Sequence, residues 1–324
     1  MSRRYPAAGA MRRATMASGG AATPGRRPRG LGERASASSA SSPSSPAGPP
    51  MPPSPARRAG PGIPGSEQVE GYHAVRQLLA ARRRRARALW VDARLASSGP
   101  LRDLVLLGRG QRVPVELKAP RELEAAARTS APQGVIAWAD PLAPVLLEGV
   151  LTGFTKDGRQ GAGLLVVLDG VTDPGNLGSV MRSAACAGAR GVVVGRHRSA
   201  ALSPAALKAA AGSAEELPLV RVPGIPAALG AIREAGIWVV GLSPEGPEEL
   251  WTTPLLDEPV ALVLGSEGRG LSRLSRERCD ALVRIPMPGP AEAPGSLNVA
   301  TACAVACFEV ARRRSMAVPA LPST

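Results

Sequence analysis

The sequence predicts an α/β protein in which a disordered N-terminal tail precedes a small α/β domain and a larger domain built on a mainly parallel sheet. Two observations favour this class. Residues 1–65 are dominated by Ala, Gly, Pro, Ser and Arg, with Tyr5 as their single aromatic residue. From residue 66 onward, short runs of Val, Leu and Ile alternate with helical patterns. No run of about 18 uncharged apolar residues occurs, so we expect no membrane span.

The tail, residues 1–65, carries most of the excess positive charge. Its ten Arg and one acid, Glu33, supply +9 of the net charge of +14. It lacks the apolar surface needed to offset the entropy of ordering, which predicts disorder. An Arg-rich, acid-poor start is typical of organelle transit peptides and also of proteins from GC-rich bacterial genomes. Three Lys against 37 Arg favour a bacterial, cytoplasmic protein, with organellar import through residues 1–65 left open.

Residues 66–140 are predicted to form the small α/β domain. The pattern indicates alternating helices and strands: a helix at Tyr72 to Ala81, a strand at Ala88 to Val91, a helix at Leu101 to Leu107, a strand at Val113 to Leu117, a helix from Arg121 and a strand at Gly134 to Trp138. Residues 141–162, rich in Pro, Leu and Gly, are predicted to be a linker.

Residues 163–315 are predicted to form the larger domain, followed by a short tail, residues 316–324. Six apolar runs predict strands: Leu164 to Leu168, Gly191 to Val194, Leu217 to Val222, Ile237 to Gly241, Val260 to Leu264 and Leu282 to Ile285. Continuous Val/Leu/Ile runs separated by helices indicate a parallel sheet covered on both faces. Ligands of such sheets bind beyond the carboxyl ends of the strands, so we expect a site in the loops after Leu168, Leu264 and Ile285.

Cysteines and histidines offer no metal site. The four cysteines form no CxxC pair, and the chain has only two His, so zinc-type spacing cannot be assembled. We expect Cys186, Cys279, Cys303 and Cys307 to be buried, reduced thiols.

The first loop, from Leu168 to Gly178, contains Asn176 and leads into a helix that carries Arg182. No GxxxxGK[ST] occurs in the chain, which argues against a P-loop. The GxGxxG pattern is missing here, and Arg196-His197-Arg198 occupy the place where an acid would hold a ribose. Dehydrogenases and the commoner class of methyltransferase sheet are therefore disfavoured.

The other two loops are rich in glycine or polar residues. Gly265 to Gly270 has three glycines around Glu267, which allows a ligand to approach the main chain closely. The third loop brings Ser296 and Asn298 to the start of an apolar helix that we expect from Val299 to about Arg312. Ser is a favoured N-cap, so Ser296 is the predicted cap of that helix.

Together these three segments resemble the motifs of the SpoU (TrmH-like) branch of the knotted SPOUT methyltransferases, over about Leu164 to Arg314. The small domain, through Gly71 to Val75 and Gln133 to Val135, is similar to the substrate-binding domain of the subgroup that methylates a guanosine in large-subunit ribosomal RNA. The resemblance implies transfer of methyl from S-adenosylmethionine to a ribose 2′-hydroxyl of RNA, a trefoil knot in the sheet domain, and a homodimer without metal or membrane partners.

The resemblance also implies roles for individual residues. Catalytic roles fall on Asn176, Arg182, Glu267, Ser296 and Asn298, and cofactor contacts on Leu264, Gly265, Gly268, Ile285, Met287 and Leu297. We expect Arg182 to clamp an RNA phosphate and stabilise the developing alkoxide. A guanidinium is already protonated at neutral pH and is therefore a poor general base. Glu267 and Asn176 would orient it. Two departures from the family pattern are the Pro-rich stretch 288–295 and the segment Ala131-Pro132-Gln133-Gly134, where the subgroup more often has a His before the Gln.

Several alternatives remain from the sequence. The leading hypothesis is 2′-O-methylation of ribosomal RNA, which the extra upstream domain favours over transfer RNA. A non-catalytic RNA-binding or ribosome assembly factor of the same fold would have no reason to keep the methyl-transfer residues, and base methylation is disfavoured by the Asn176/Arg182 pair. The basic run formed by Arg82 to Arg85 and Arg87 is either a solvated face or a phosphate-binding surface.

Overall fold

The structure, a computed structural model, describes residues 63–155, 163–290 and 295–317. The predicted disorder of residues 1–65 falls almost entirely outside these ranges, as do most of the C-terminal tail and part of the Pro-rich stretch before Ser296. Those expectations therefore stay predictions. No helix within the described ranges is long and apolar enough to cross a membrane.

The small domain is a four-stranded mixed sheet with three helices. The elements follow one another as β1 (Glu67–Glu70), α1 (Tyr72–Ala81), β2 (Ala86–Asp92), α2 (Gly99–Gly110), β3 (Val115–Lys118), α3 (Pro120–Ala126) and β4 (Val135–Ala139). The strand order is β1-β4-β2-β3, in which only β2 and β3 are parallel. All six predicted elements are present.

Strand β1 was not predicted, because its sequence Glu-Gln-Val-Glu lacks an apolar run. Two of its three polar side chains, Gln68 and Glu70, are nevertheless buried and hydrogen-bonded. Gln68 donates to the Ala126 carbonyl at 2.8 Å, and the Glu70 carboxylate accepts from the backbone N–H of Arg128 at 2.6 Å and of Thr129 at 3.1 Å. These hydrogen bonds offset the cost of burying polar groups at an edge strand.

The larger domain is a seven-stranded sheet in which every neighbouring pair is parallel. Its elements are α4 (Leu147–Thr155), β5 (Leu164–Asp169), α5 (Pro174–Cys186), β6 (Ala189–Gly195), α6 (Pro204–Ala210), β7 (Leu219–Val222), α7 (Ile225–Glu234), β8 (Trp238–Leu242), β9 (Glu248–Glu249), β10 (Val260–Gly265), α8 (Arg273–Arg278), β11 (Ala281–Arg284) and α9 (Val299–Ala317). The order β7-β6-β5-β10-β8-β11-β9 places β10 beside β5 at the centre. The parallel α/β class is confirmed, and the knot stays a prediction.

Alternate residues of β5 enter two separate cores, because successive side chains of a strand point to opposite faces. Leu164, Val166 and Leu168 pack with α5, α6 and α9, in a cluster that continues into the small domain. Leu165 and Val167 pack with α4 and α7 on the other face. The sheet is thus covered on both sides, as its continuous apolar strands predicted.

The segment expected to be a linker contains helix α4. Its residues Leu147, Val150 and Leu151 are buried against the second core. The i, i+3, i+4 spacing of these residues is that of a helix with one apolar face. Neighbouring Pro and Gly residues obscure this pattern in the sequence, and the segment expected to be a linker is in part a packed element of the sheet domain.

An ion-pair network joins the small domain to the sheet domain. Arg84, whose side chain is 2% exposed, donates to both carboxylate oxygens of Glu215, at 2.6 to 3.1 Å, and also pairs with Glu67 at 2.5 Å. Arg83 donates to the carbonyl oxygens of residues 215 and 216, and Arg87 pairs with Asp140. The basic run is therefore used largely inside the fold, and only Arg82 and Arg85 are left as exposed residues without such contacts among the described residues.

Candidate active site

A cleft of about 1010 Å³ lies at the carboxyl edge of β8, β10 and β11. This is the edge at which parallel sheets bind ligands. All six expected cofactor-contact residues line it: Leu264, Gly265, Gly268, Ile285, Met287 and Leu297. Three of the five expected catalytic residues line it as well, namely Glu267, Ser296 and Asn298.

The glycine-rich loop after β10 closes on itself. The N–H of Gly270 donates to the carbonyl of Ser266 at 2.8 Å, and Gly268 and Gly270 have φ of 77° and 64°. A Cβ placed on Gly265 would lie 2.0 Å from the carbonyl carbon of Gly270. Gly265 is therefore required by the loop's own closure, in addition to any approach of a ligand.

Three expected catalytic side chains form a hydrogen-bonded triangle. The Asn298 amide donates to Glu267 Oε1 at 2.5 Å and to Asn176 Oδ1 at 3.0 Å, and Asn176 Nδ2 donates to the same Glu267 oxygen at 3.1 Å. Asn176 lies in the first turn of α5, Glu267 in the loop after β10, and Asn298 directly before α9. Asn176 is held from behind, because its N–H donates to Asp173, the N-cap of α5, at 2.6 Å.

Arg182 lies on the exposed side of α5, two turns after the helix begins. Within the described part of the chain, no hydrogen bond or ion pair joins it to Asn176 or Glu267, which bond to each other and to Asn298. These two residues do not hold the Arg182 side chain in this structure, and their role in orienting it stays a prediction. The guanidinium is available to an incoming group.

The N-cap of α9 is Asn298 and not Ser296. Asn298 Oδ1 accepts from the N–H of Ala300 at 2.9 Å and of Thr301 at 3.4 Å, so its amide group faces the triangle while its oxygen caps the helix. Ser296 lies two residues earlier and is exposed at the cleft. Helix α9 begins at Val299, as expected, so the cap position falls on the residue directly before it, Asn298, a residue type that caps helices as readily as serine.

Sequence reasoning missed the loop after β8, which forms one wall of the cleft. Leu242, Ser243 and Glu245 line the cleft beside Arg276 of α8. Arg276 donates to Ser243 Oγ at 2.5 Å and to Glu245 at 2.7 Å. These residue types are unremarkable in a turn, and only the position of β8 between β10 and β11 indicates their role.

The cleft suits a ligand with both an apolar ring and polar groups. Met287 and Leu297, which are 41% and 37% exposed, present apolar surface to it. The main chain of three loops supplies N–H and C=O groups. Arg276 Nε is buried without a hydrogen-bond partner in the described ranges, which leaves a donor unsatisfied at the wall. An adenosyl group with a charged amino-acid end fits this combination.

Cysteine residues take no part in this arrangement. Cys303 and Cys307 are buried in α9, as expected, whereas the expectation of burial is wrong for Cys186, which is exposed. Burial raises the pKa of Cys279 to about 12, and the neighbouring Asp280 adds to this effect. A thiol with such a pKa is a poor nucleophile at neutral pH. No group of three or more His, Cys, Asp or Glu residues in the described ranges could hold a metal ion.

Comparison with known proteins agrees with this geometry. Residues 163–308 match the model of the SpoU rRNA Methylase family, and residues 68–145 match the model for RNA 2'-O ribose methyltransferase substrate binding. These ranges correspond to the sheet domain and the small domain.

Similar proteins match nearly along their whole length. The 23S rRNA (guanosine-2'-O-)-methyltransferase RlmB of Pseudomonas syringae pv. tomato is 40% identical over 249 residues, covering 77% of this chain and 96% of the relative. The protein of the same name from Vibrio cholerae is 38% identical over 256 residues, covering 77% and 98%.

Two solved structures of methyltransferases are also similar to this chain. The SpoU methyltransferase AviRb from Streptomyces viridochromogenes, crystallised with AdoMet, is 30% identical, with a TM-score of 0.63 and coverage of 78% of this chain and 91% of that chain. An AdoMet-bound rRNA methyltransferase from Sinorhizobium meliloti is 26% identical, with a TM-score of 0.61 and coverage of 77% and 88%. With both domains matched and residues of the three motifs joined by hydrogen bonds beside the cleft, this chain belongs to the SpoU rRNA methylase family.

Proposed function

We propose that this protein transfers a methyl group from S-adenosylmethionine to the 2′-hydroxyl of a guanosine ribose in 23S ribosomal RNA. The observation that carries the proposal is the Asn176–Glu267–Asn298 triangle at the cleft, with Arg182 exposed on the same helix as Asn176. The relatives named for this activity in 23S rRNA support the choice of substrate.

The residues that would hold the cofactor are those of the three loops around the cleft. Main-chain groups of Gly265, Ile285 and Leu297 would bind its polar edges, and Met287 would cover its ring. When bound, S-adenosylmethionine supplies a methyl group on a positively charged sulfur, which needs no covalent nucleophile from the protein. The task left to the protein is to position a ribose hydroxyl and favour loss of its proton.

Arg182 is the residue proposed to act on the RNA. A guanidinium stays protonated at neutral pH and cannot readily accept a further proton, so we assign Arg182 to stabilising the alkoxide that develops on the ribose oxygen and to clamping an adjacent phosphate. Its exposure and its freedom from Glu267 suit this role, because RNA itself would orient it. Glu267 and Asn176 would hold the shape of the site.

A homodimer is part of the proposal. Helix α9 buries Cys303 and Cys307 within the sheet domain and leaves Phe308, 51% exposed, on its outer side. A second copy of the chain covering this face would remove that apolar surface from water. Sedimentation analysis of the wild type and of Phe308→Asp tests this: we expect a dimer and a monomer, respectively.

A cytoplasmic location, where ribosomal RNA is made in bacteria, is also part of the proposal.

The activity is tested by incubating the protein with tritiated S-adenosylmethionine and unmodified 23S rRNA or tRNA. Digestion with a nuclease that spares 2′-O-methylated linkages should then leave the label in a resistant dinucleotide from 23S rRNA. Label in tRNA would redirect the substrate, label in mononucleotides would indicate base methylation, and RNA binding without label would indicate a non-catalytic protein.

A further inference from the structure

The loop after β6 presents consecutive cationic or ionisable side chains to solvent. Arg196, His197 and Arg198 are all exposed, whereas the strand before them is buried from Gly191 to Gly195. In the sequence, these residues showed only that no acid stands where one would hold a ribose. Their position in the fold relates them to the catalytic helix α5.

The loop is tied to the one that leads to the catalytic residues. The N–H of Ala200 donates to the carbonyl of Val171 at 2.9 Å, and β6 lies beside β5 in the sheet. Val171 belongs to the segment between β5 and α5, the helix that carries Asn176 and Arg182. Arg196 to Arg198 therefore lie at the same edge of the sheet as the proposed reaction.

The positive charge of this loop is not neutralised within the fold. Neither Arg196 nor Arg198 forms an ion pair or a side-chain hydrogen bond with any residue that the structure describes. The acids at this edge are engaged with main-chain groups: Asp169 accepts from the N–H of Ser272 at 2.9 Å, and Asp173 caps α5. Arg84 and Arg276, by contrast, are paired with Glu215 and Glu245.

The backbone of the loop is fixed in an uncommon conformation. Arg198 has φ of +54°, in the left-handed region that non-glycine residues rarely adopt. The hydroxyl of Ser199 donates to the carbonyl of Gly195 and closes the turn. Residues held in such a conformation cluster at binding sites, where the surrounding structure maintains them.

We infer that the loop Arg196–Ser199 binds phosphates of the RNA strand next to the target nucleotide, through Arg196 and Arg198. Guanidinium groups match phosphate geometry with two parallel hydrogen bonds. The loop would fix the register of the strand on the sheet domain without recognising bases, while Arg182 acts at the reacting ribose. This inference rests on the proposed function, because it assumes an RNA substrate.

The test compares Arg196→Gln/Arg198→Gln with Arg278→Gln, which removes an exposed arginine of α8 that has no ion pair within the described ranges. Binding of 23S rRNA is measured at several salt concentrations. Each phosphate contact that is lost lowers the slope of log K against log [salt] by about 0.7, so the double variant should lose about 1.4. The variant with Arg278→Gln should keep the wild-type slope, and Arg196→Lys/Arg198→Lys should recover most of it.

Affinity for S-adenosylmethionine and the melting temperature are measured on the same samples, and both should match the wild type. Equal slopes in the double variant and in the control would overturn the inference, as would failure of the wild type to bind RNA. A changed slope in a protein that transfers no methyl group would refute the proposed function and leave the phosphate-binding loop standing.

Discussion

Asn176 and Asn298 are 122 residues apart in the sequence, yet the amide of Asn298 donates to the side-chain oxygen of Asn176 at 3.0 Å. The same Asn298 caps α9 through its own oxygen. One side chain thus links the start of the C-terminal helix α9 to the first turn of α5. The shape of the site therefore depends on where α9 begins.

Asn298→Ala should lose both functions of this side chain. We expect a stability loss of about 1 kcal/mol from the missing cap and a fall in turnover on the order of 10²-fold from the displaced Glu267. Asn298→Asp separates the two effects, because a carboxylate can cap the helix but cannot donate to Glu267. Denaturant titration and single-turnover methylation measure them. Full activity of Asn298→Asp would contradict the positioning role.

Gly265→Ala should disrupt the glycine-rich loop. The added Cβ would lie 2.0 Å from the Gly270 backbone, which cannot move without opening the loop. We expect a cost of about 1 to 3 kcal/mol in stability and loss of S-adenosylmethionine binding by calorimetry. Gly230→Ala in α7 is the control, since its Cβ would meet only Arg278 at 3.7 Å. Normal cofactor affinity in Gly265→Ala would show that the loop can adapt.

Removing Arg84 should destabilise the junction of the two domains. Arg84→Ala leaves the buried carboxylate of Glu215 without its partner, a change that typically costs about 3 to 5 kcal/mol. Replacing both residues, as Arg84→Met/Glu215→Leu, removes the unpaired charge and should restore much of the loss. Urea denaturation measures the series. Equal unfolding of Arg84→Ala and the wild type would mean that the ion pair contributes nothing.

The thiols should differ sharply in reactivity. Cys186 is exposed. Burial raises the pKa of Cys279 to about 12. The contact with Cys307, together with burial, holds the pKa of Cys303 well above its usual value. We expect one rapidly reacting thiol with a disulfide reagent at pH 8, and four after denaturation. Cys186→Ser should abolish the rapid reaction.

The raised pKa of Cys279 also predicts a pH dependence. The thiol ionises more easily in the unfolded chain, so its contribution to stability is complete below pH 9 and is lost as the pH rises towards 12. Denaturant titrations from pH 8 to 10.5 on the wild type and Cys279→Ala should show a steeper decline in the wild type. Parallel curves would contradict the shift.

Arg182→Lys should keep the cofactor and lose most of the reaction. Lysine retains the charge but not the planar pair of donors suited to phosphate. We expect an unchanged dissociation constant for S-adenosylmethionine and a large fall in the single-turnover rate at saturating RNA. A near-normal rate would remove Arg182 from the proposed mechanism.

The strands of the sheet domain were predicted to within a few residues because buried parallel strands are continuous apolar runs. The short polar strands β1 and β9 were not predicted, because each depends on residues far along the chain. Gln68 of β1 bonds to the Ala126 carbonyl, and β9 pairs with β11. The wall formed by Ser243 and Glu245 was missed for a related reason: sequence spacing does not show which strands are neighbours. Motifs located the segments of the site, and only the fold showed that Asn176 and Glu267 bond to Asn298 and not to Arg182.

Arg84 and Glu215 have a consequence for building chimeric enzymes. This ion pair is divided between the two domains, since the arginine follows α1 and the carboxylate follows α6. A small domain transplanted from a relative that lacks the matching arginine would leave an orphaned acid on the recipient. Substrate specificity in this protein would therefore be exchanged successfully only when residues 84 and 215 are kept as a matched pair. The two domains would then have to be transferred together.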